Sequence, residues 1–324
     1  MATPRHPFEK ALSVSAHESR WEFRSFDSLP WADFWLNPRR LRGSDFLMRW
    51  SQGQWSEERL VEAVSDTNDY FALPYGPSGV APDGDVRAFE LYFERLENAG
   101  LGRLKRPDLL IYRKRDFEAV QSLVTRLGGL PELPFTPEDD VLIGELLSLA
   151  LIAVECENSL WVARQMPSYG VPLTSQRRLG GLPGLKKTAV APTVILKDED
   201  LAFLRLWQSQ HGVTLHIWHA FYDLSFGLTF DRAEELIAEG RIEPTIQTFQ
   251  APGGATTKKA IYKFYHHYAY PLGEMKEPPQ LIADQITDKN GHILPFVRFQ
   301  GGHMVLAGEA QDVLRAAVPK SERS

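Results

Sequence analysis

Leu151-Ile152-Ala153-Val154-Glu155-Cys156-Glu157-Asn158-Ser159 decides the fold: an apolar run that ends on two carboxylates. Side chains alternate across a strand, so Glu155 and Glu157 point one way while Val154 and Cys156 point the other. The run before them has no polar alternation, which marks a strand buried on both faces. Two carboxylates side by side where water is scarce are costly unless something positive compensates them. The usual compensator is a divalent cation that prefers oxygen, Mg²⁺ above all, and two such ions fit a cluster of this kind.

Arg106-Pro107-Asp108-Leu109-Leu110-Ile111-Tyr112 is the partner stretch. Proline fits the first position of a strand, where its missing donor costs nothing, and Asp108 adds a third carboxylate ahead of another apolar run. A Pro-Asp pair is common, and Glu-x-Glu on a strand is usually a solvated face. An apolar strand leading into Glu-Cys-Glu-Asn-Ser-Leu-Trp is poorly explained as surface, however.

Pro107-Asp108 followed by Glu155-x-Glu157 resembles the PD-(D/E)xK nuclease core, with Glu157 in the place of the usual Lys. A minority of type II restriction endonucleases, BamHI-like ones among them, is similar in carrying Glu-x-Glu. The long gap between Asp108 and Glu155 implies an inserted segment between the two catalytic strands. In that family a helix ahead of the Asp-bearing strand can add an acidic metal ligand, and Glu90 or Glu94 is the candidate.

The composition is that of an ordinary globular protein: 324 residues, 43% hydrophobic and 11% aromatic, enough for one large core or two modest ones. The single Cys156 excludes an internal disulfide framework and a zinc ribbon, and fits a reducing prokaryotic cytoplasm. Neither an apolar leader nor a run of membrane-spanning length is present, so no membrane role is expected. A net charge of −6 argues against a protein devoted to coating nucleic acid, but the basic residues are grouped. Arg103, Lys105, Arg106, Arg177, Arg178, Lys186 and Lys187 form short clusters that can line a local positive cleft.

Five tryptophans between Trp21 and Trp55, with Phe23, Phe26, Phe34 and Phe46, suggest a packed helical N-terminal region over residues 1–84. Ser56 reads as the cap of a helix to Ser65, and 66–69 with 73–84 as a long loop. Residues 85–98 read as a second helix with an apolar stripe, 117–127 as a third, and Thr136-Pro137 as the start of a helix through Leu149. Ala191–Lys197, a helix from Asp198 and Val213–Phe221 read as a βαβ crossover with parallel strands. Phe230–Ala238 is a helix stopped by Gly240. His216 and His219 fall on opposite faces of their strand and read as core histidines rather than metal ligands. A glycine turn at 253–254 feeds a strand whose Thr256, Thr257, Lys258 and Lys259 suit phosphate contacts. The tail 316–324 reads as disordered.

The layout of Glu155-x-Glu157, Thr193–Leu201 and His216–Asp223 resembles AccI-type restriction endonucleases, over roughly residues 105–265. The resemblance implies an α/β fold with a mixed central sheet flanked by helices, occupying 85–315. It implies Mg²⁺-dependent cleavage of double-stranded DNA at a short palindromic sequence by a homodimer, with a cognate DNA methyltransferase as functional partner. Asp108, Glu155 and Glu157 are the expected metal ligands with Glu90, Glu157 serving as ligand or base, and Lys197 is the expected substitute for the missing Lys, with Lys186 and Lys187 as the other contenders. The rival reading is a non-cleaving DNA-binding or DNA-repair accessory protein of the same fold.

Overall fold

The structure, a computed structural model, describes residues 13–15, 33–35, 44–77, 91–99 apart from 93 and 97, 105–250, 256–287 and 293–318. Two short strands, β1 (Ser13–Ser15) and β2 (Asp33–Trp35), pair with each other. The centre is a seven-stranded sheet of order β16-β13-β10-β9-β5-β4-β3, built from β3 (Tyr70–Pro74), β4 (Leu109–Arg113), β5 (Ile152–Asn158), β9 (Leu215–Ala220), β10 (Leu224–Thr229), β13 (Tyr270–Glu277) and β16 (His303–Leu306). Only β5 and β9 run parallel within it, so the mixed sheet expected from the sequence is present and is largely antiparallel.

Alternation sorts the sheet's side chains between two apolar layers. Leu110, Tyr112, Ala153, Leu215 and Ile217 join one cluster, while Leu109, Ile111, Ile152, Val154 and Trp218 join the other. Helices α2 (Phe117–Arg126), α3 (Val141–Leu149), α4 (Asp198–His211) and α5 (Phe230–Ala238) cover the first layer, through residues such as Val120, Ile143, Leu204 and Leu236. Helices α1 (Ser44–Ser65) and α6 (Gly308–Ala317) cover the second, through Leu60, Val64 and Leu314. A smaller sheet of order β11-β12-β8, made of β11 (Thr245–Gln250), β12 (Thr256–Tyr265) and β8 (Thr193–Lys197), packs Val194, Leu196 and Phe264 into the first layer. Hairpins β6 (Thr174–Ser175) with β7 (Pro183–Gly184) and β14 (Gln280–Thr287) with β15 (Ile293–Gln300) complete the strands.

Several local expectations are corrected. Helix α1 begins at Ser44, twelve residues before the expected cap, and the Ser56 hydroxyl donates back to the Gly53 carbonyl inside it. Trp55 and Arg59 hold this helix to the distant Gly301 and Gly302 carbonyls, contacts that no local pattern encodes. Strand β3 takes Leu73 and Pro74 from the stretch read as loop, and α1 and β3 are built into the central sheet and its cover. Asp140, not Thr136, caps α3, its Oδ1 accepting the Leu142 N–H at 2.7 Å. The Thr136 carbonyl is taken by Arg106. Strand β8 and strand β9 lie in different sheets, so β8-α4-β9 is not a crossover within one sheet; the parallel pair is β5 with β9. Glu90, Arg103 and the tail beyond 318 lie outside the described residues, whereas 91, 92, 94–96 and 98 are helical and Glu94 is exposed.

Candidate active site

The pairing of β4 with β5 places Leu109 opposite Val154, so Asp108, one residue earlier, stands beside Glu155. Asp108 Oδ2 accepts the Cys156 N–H at 2.7 Å, fixing the carboxylate against the strand that carries the other two. Behind it, the Asp108 carbonyl accepts the N–H groups of Tyr75 and Gly76. A Cβ on Gly76 would stand 3.0 Å from Asp108 Cα and 3.2 Å from its Oδ1, so only glycine lets the chain approach this closely. Glu155 and Glu157 share a face, as expected, with Ile217 and His219 beside them on the parallel strand.

Two lysines answer these carboxylates. Lys105 pairs with Glu155 Oε1, and Lys197 Nζ lies 2.8 Å from Glu157 Oε1. Lys197 therefore reaches the site as expected, although its strand belongs to the smaller sheet and not beside β5. Asp200, in the first turn of α4, stands 3.9 Å from both ammonium groups. Burial is the first cause raising the pKa of Glu155, to about 8; the Asp108 and Glu157 carboxylates add to it and Lys105 opposes it. Burial also raises Glu157, against the downward pull of Lys197. Burial would lower the two lysines, but the surrounding carboxylates more than reverse this and hold both above their ordinary values.

Sequence reasoning missed two members of the cluster. Glu57 of α1 is pushed well above its ordinary pKa, by burial and then by the Asp108 and Glu155 carboxylates, so an acidic group of α1 feels the site's charge. Its sequence signal was misread, because Ser56-Glu57-Glu58 has the form of a helix start. Asp200 was counted as part of a helix N-terminus alone. Lys105, expected as a DNA contact, is an ion-pair partner of Glu155 inside the site.

The donor set fits a hard divalent cation in its chemistry: the groups are all carboxylates, and they outnumber the two lysines that answer them. Glu155 Oε2 is buried with no hydrogen-bond partner, an acceptor left for a cation or a water. Among the described residues no three carboxylate, thiolate or imidazole groups converge on one point. The carboxylates here are held by lysines instead.

Other expected contacts divide. Arg106 is only 3% exposed and donates to the Leu133 and Thr136 carbonyls beside Glu138, which also takes the Tyr75 hydroxyl, so its task is to anchor the 130–138 segment rather than touch DNA. Arg177, Lys186, Lys187 and Lys258 are exposed, as is Arg178, which donates to the Leu185 carbonyl. Lys259 pairs with Glu199, and the side chains of Thr256 and Thr257 lie outside the described residues. His216 and His219 are buried core residues, His216 bonded to the Tyr270 hydroxyl and His219 with neither ring nitrogen partnered.

Residues 37–132 match the family model described as AccI restriction endonuclease. The chain is similar to this family. The match supports a type II restriction endonuclease, AccI-like, and takes in Glu57, Lys105 and Asp108. It begins N-terminal to the span over which the sequence layout suggested the likeness, overlaps that span over residues 105–132, and stops before Glu155. No curated protein and no solved structure matches the chain significantly. No helix among the described residues is long and apolar enough to cross a membrane.

Proposed function

We propose that this AccI-like chain is a Mg²⁺-dependent type II restriction endonuclease that cuts double-stranded DNA at a short palindromic sequence as a homodimer. The observation that carries the reading is Asp108 held beside Glu155 and Glu157 at one end of β4 and β5, with Lys197 paired to Glu157 in the role of the missing Lys. Asp108, Glu155 and Glu57 would hold the metal, with Glu157 as ligand or base. When bound, such an ion activates water and offsets phosphate charge.

The chain's own groups account for the rest. Lys197 is a compact cation suited to a phosphate oxygen, whose charge grows as the attacking oxygen bonds to phosphorus and the leaving oxygen departs. Glu157 orients Lys197 through their ion pair, and its raised proton affinity suits it to take the proton of the attacking water. The exposed Arg177, Lys186, Lys187 and Lys258 supply the phosphate contacts that set register on DNA. Glu155→Gln tests the reading: plasmid cleavage is abolished while DNA binding in Ca²⁺, followed by fluorescence anisotropy, is kept. Cleavage by this variant at the parental rate would sink the site assignment. The lysine pairing of the carboxylates favours a second reading, a non-cleaving DNA-binding accessory protein, which the unaltered protein would reveal by binding DNA without cutting it.

A further inference from the structure

The site repeats one motif. Each strand carboxylate has its own lysine, Glu155 with Lys105 and Glu157 with Lys197, and the same Asp200 oxygen lies 3.9 Å from both ammonium groups. The restriction-endonuclease reading uses one lysine. The other sits on the carboxylate best placed to bind metal, and holds only one of its two oxygens, since Glu155 Oε2 is buried and unpartnered. The backbone beside it is fixed, because Arg106 is locked into the carbonyls of Leu133 and Thr136 and Asp108 onto the Cys156 N–H. The Lys105 side chain is held by carboxylates alone, with a quarter of it open to solvent, at 26%, against 3% for Glu155.

We propose that Lys105 is a second cationic group of the reaction: it holds Glu155 while no divalent cation is bound, is displaced when one enters, and then meets a phosphate oxygen of the DNA. The inference rests on the nuclease reading for its last step. A divalent cation at oxygen-ligand distance outcompetes an ammonium for a carboxylate, because it carries twice the charge and sits closer. Asp200 keeps the freed ammonium at the site, and its four-carbon stem lets it swing outward.

Three measurements test this on the full chain. Calorimetric titration with Ca²⁺ alone, without DNA, should show Lys105→Met binding about tenfold tighter than the unaltered protein, a change of the size that groups around a ligand commonly exert on metal affinity. Single-turnover cleavage in Mg²⁺ by the same variant should be about 10²-fold slower, the loss expected when one preorganised charge on a developing oxyanion is removed. On the unaltered protein, which avoids any folding defect of the variant, Ca²⁺ should increase acylation of Lys105 by a succinimidyl ester, read by peptide mass. Unchanged or weaker Ca²⁺ binding in Lys105→Met, or labelling that Ca²⁺ does not change, overturns the displacement. Cleavage by Lys105→Met at the parental rate overturns the phosphate contact. The arms keep failures apart: if the unaltered protein cuts no DNA, the nuclease reading and the phosphate contact fall, while Ca²⁺ affinity and labelling still decide the displacement.

Discussion

Replacing Glu157 with Lys tests whether the departure from the common nuclease pattern is functional. The change removes the 2.8 Å pair with Lys197 and puts a second ammonium in its place. Both partners are sheltered, at 12% and 31% side-chain exposure, so solvent screening is incomplete. Removing one partner from a pair of this kind costs about 3–5 kcal/mol, and two like charges about 4 Å apart at an effective dielectric near 20 repel by roughly 4 kcal/mol. Relaxation of the long lysine stems relieves part of the repulsion, leaving a net destabilisation of about 3–5 kcal/mol and a melting temperature lower by roughly 10 °C. Cleavage should slow by about 10²-fold or more, because a cation then stands where the site holds a carboxylate. The charge-swapped double variant, Glu157→Lys with Lys197→Glu, should recover most of the stability through the reversed pair and none of the activity. Calorimetric melting and single-turnover plasmid cleavage across a Mg²⁺ titration read both effects. A single variant as stable as the parent and cutting as fast would refute a role for Glu157 in chemistry.

Two further expectations concern the scaffold. Burial lowers His219 to about 3 and His216 to about 4, so both are neutral in the folded protein near neutrality, while each takes up a proton near its ordinary value of about 6.5 once unfolded. Stability is therefore lost as pH falls from about 6.5 toward 4, by about 1.4 kcal/mol per pH unit for each histidine. His219→Phe should remove one such increment from the slope in denaturant titrations, and an unchanged slope would show that His219 titrates normally. Gly76→Ala drives a methyl against Asp108 Cα and the Pro107 carbonyl at 3.0 Å, which should cost about 1–3 kcal/mol and slow cleavage about 10²-fold with DNA binding retained; parental kinetics in this variant would show that Asp108 need not stay where it is.

The features legible in the sequence were those written in local periodicity. The continuous apolar run before Glu155 gave β5, the alternation put Glu155 and Glu157 on one face, and Pro107 and Asp108 marked the start of β4. Gly212 and Gly240, both left-handed, marked the helix ends. Non-local choices were not legible. Whether β8 joins the sheet of β9 depends on which edge is free when it pairs, and β12 claims it instead. Glu90 and Glu94 are the legible acidic candidates because their helix directly precedes the Asp-bearing strand, whereas α1, which carries Glu57, extends back to Ser44. Its true extent depends on contacts of Trp55 and Arg59 with residues more than two hundred positions away. Lys105 was grouped with its basic neighbours, since nothing local reveals a carboxylate fifty residues on as its partner.

The most direct test of the central claim is digestion of plasmid and phage DNA by the unaltered protein, with Mg²⁺ and with EDTA, followed by sequencing of the fragment ends. The account expects discrete fragments in Mg²⁺ whose ends share one short palindromic sequence, and intact DNA in EDTA. Intact DNA in both, or ends scattered without common sequence, would contradict it.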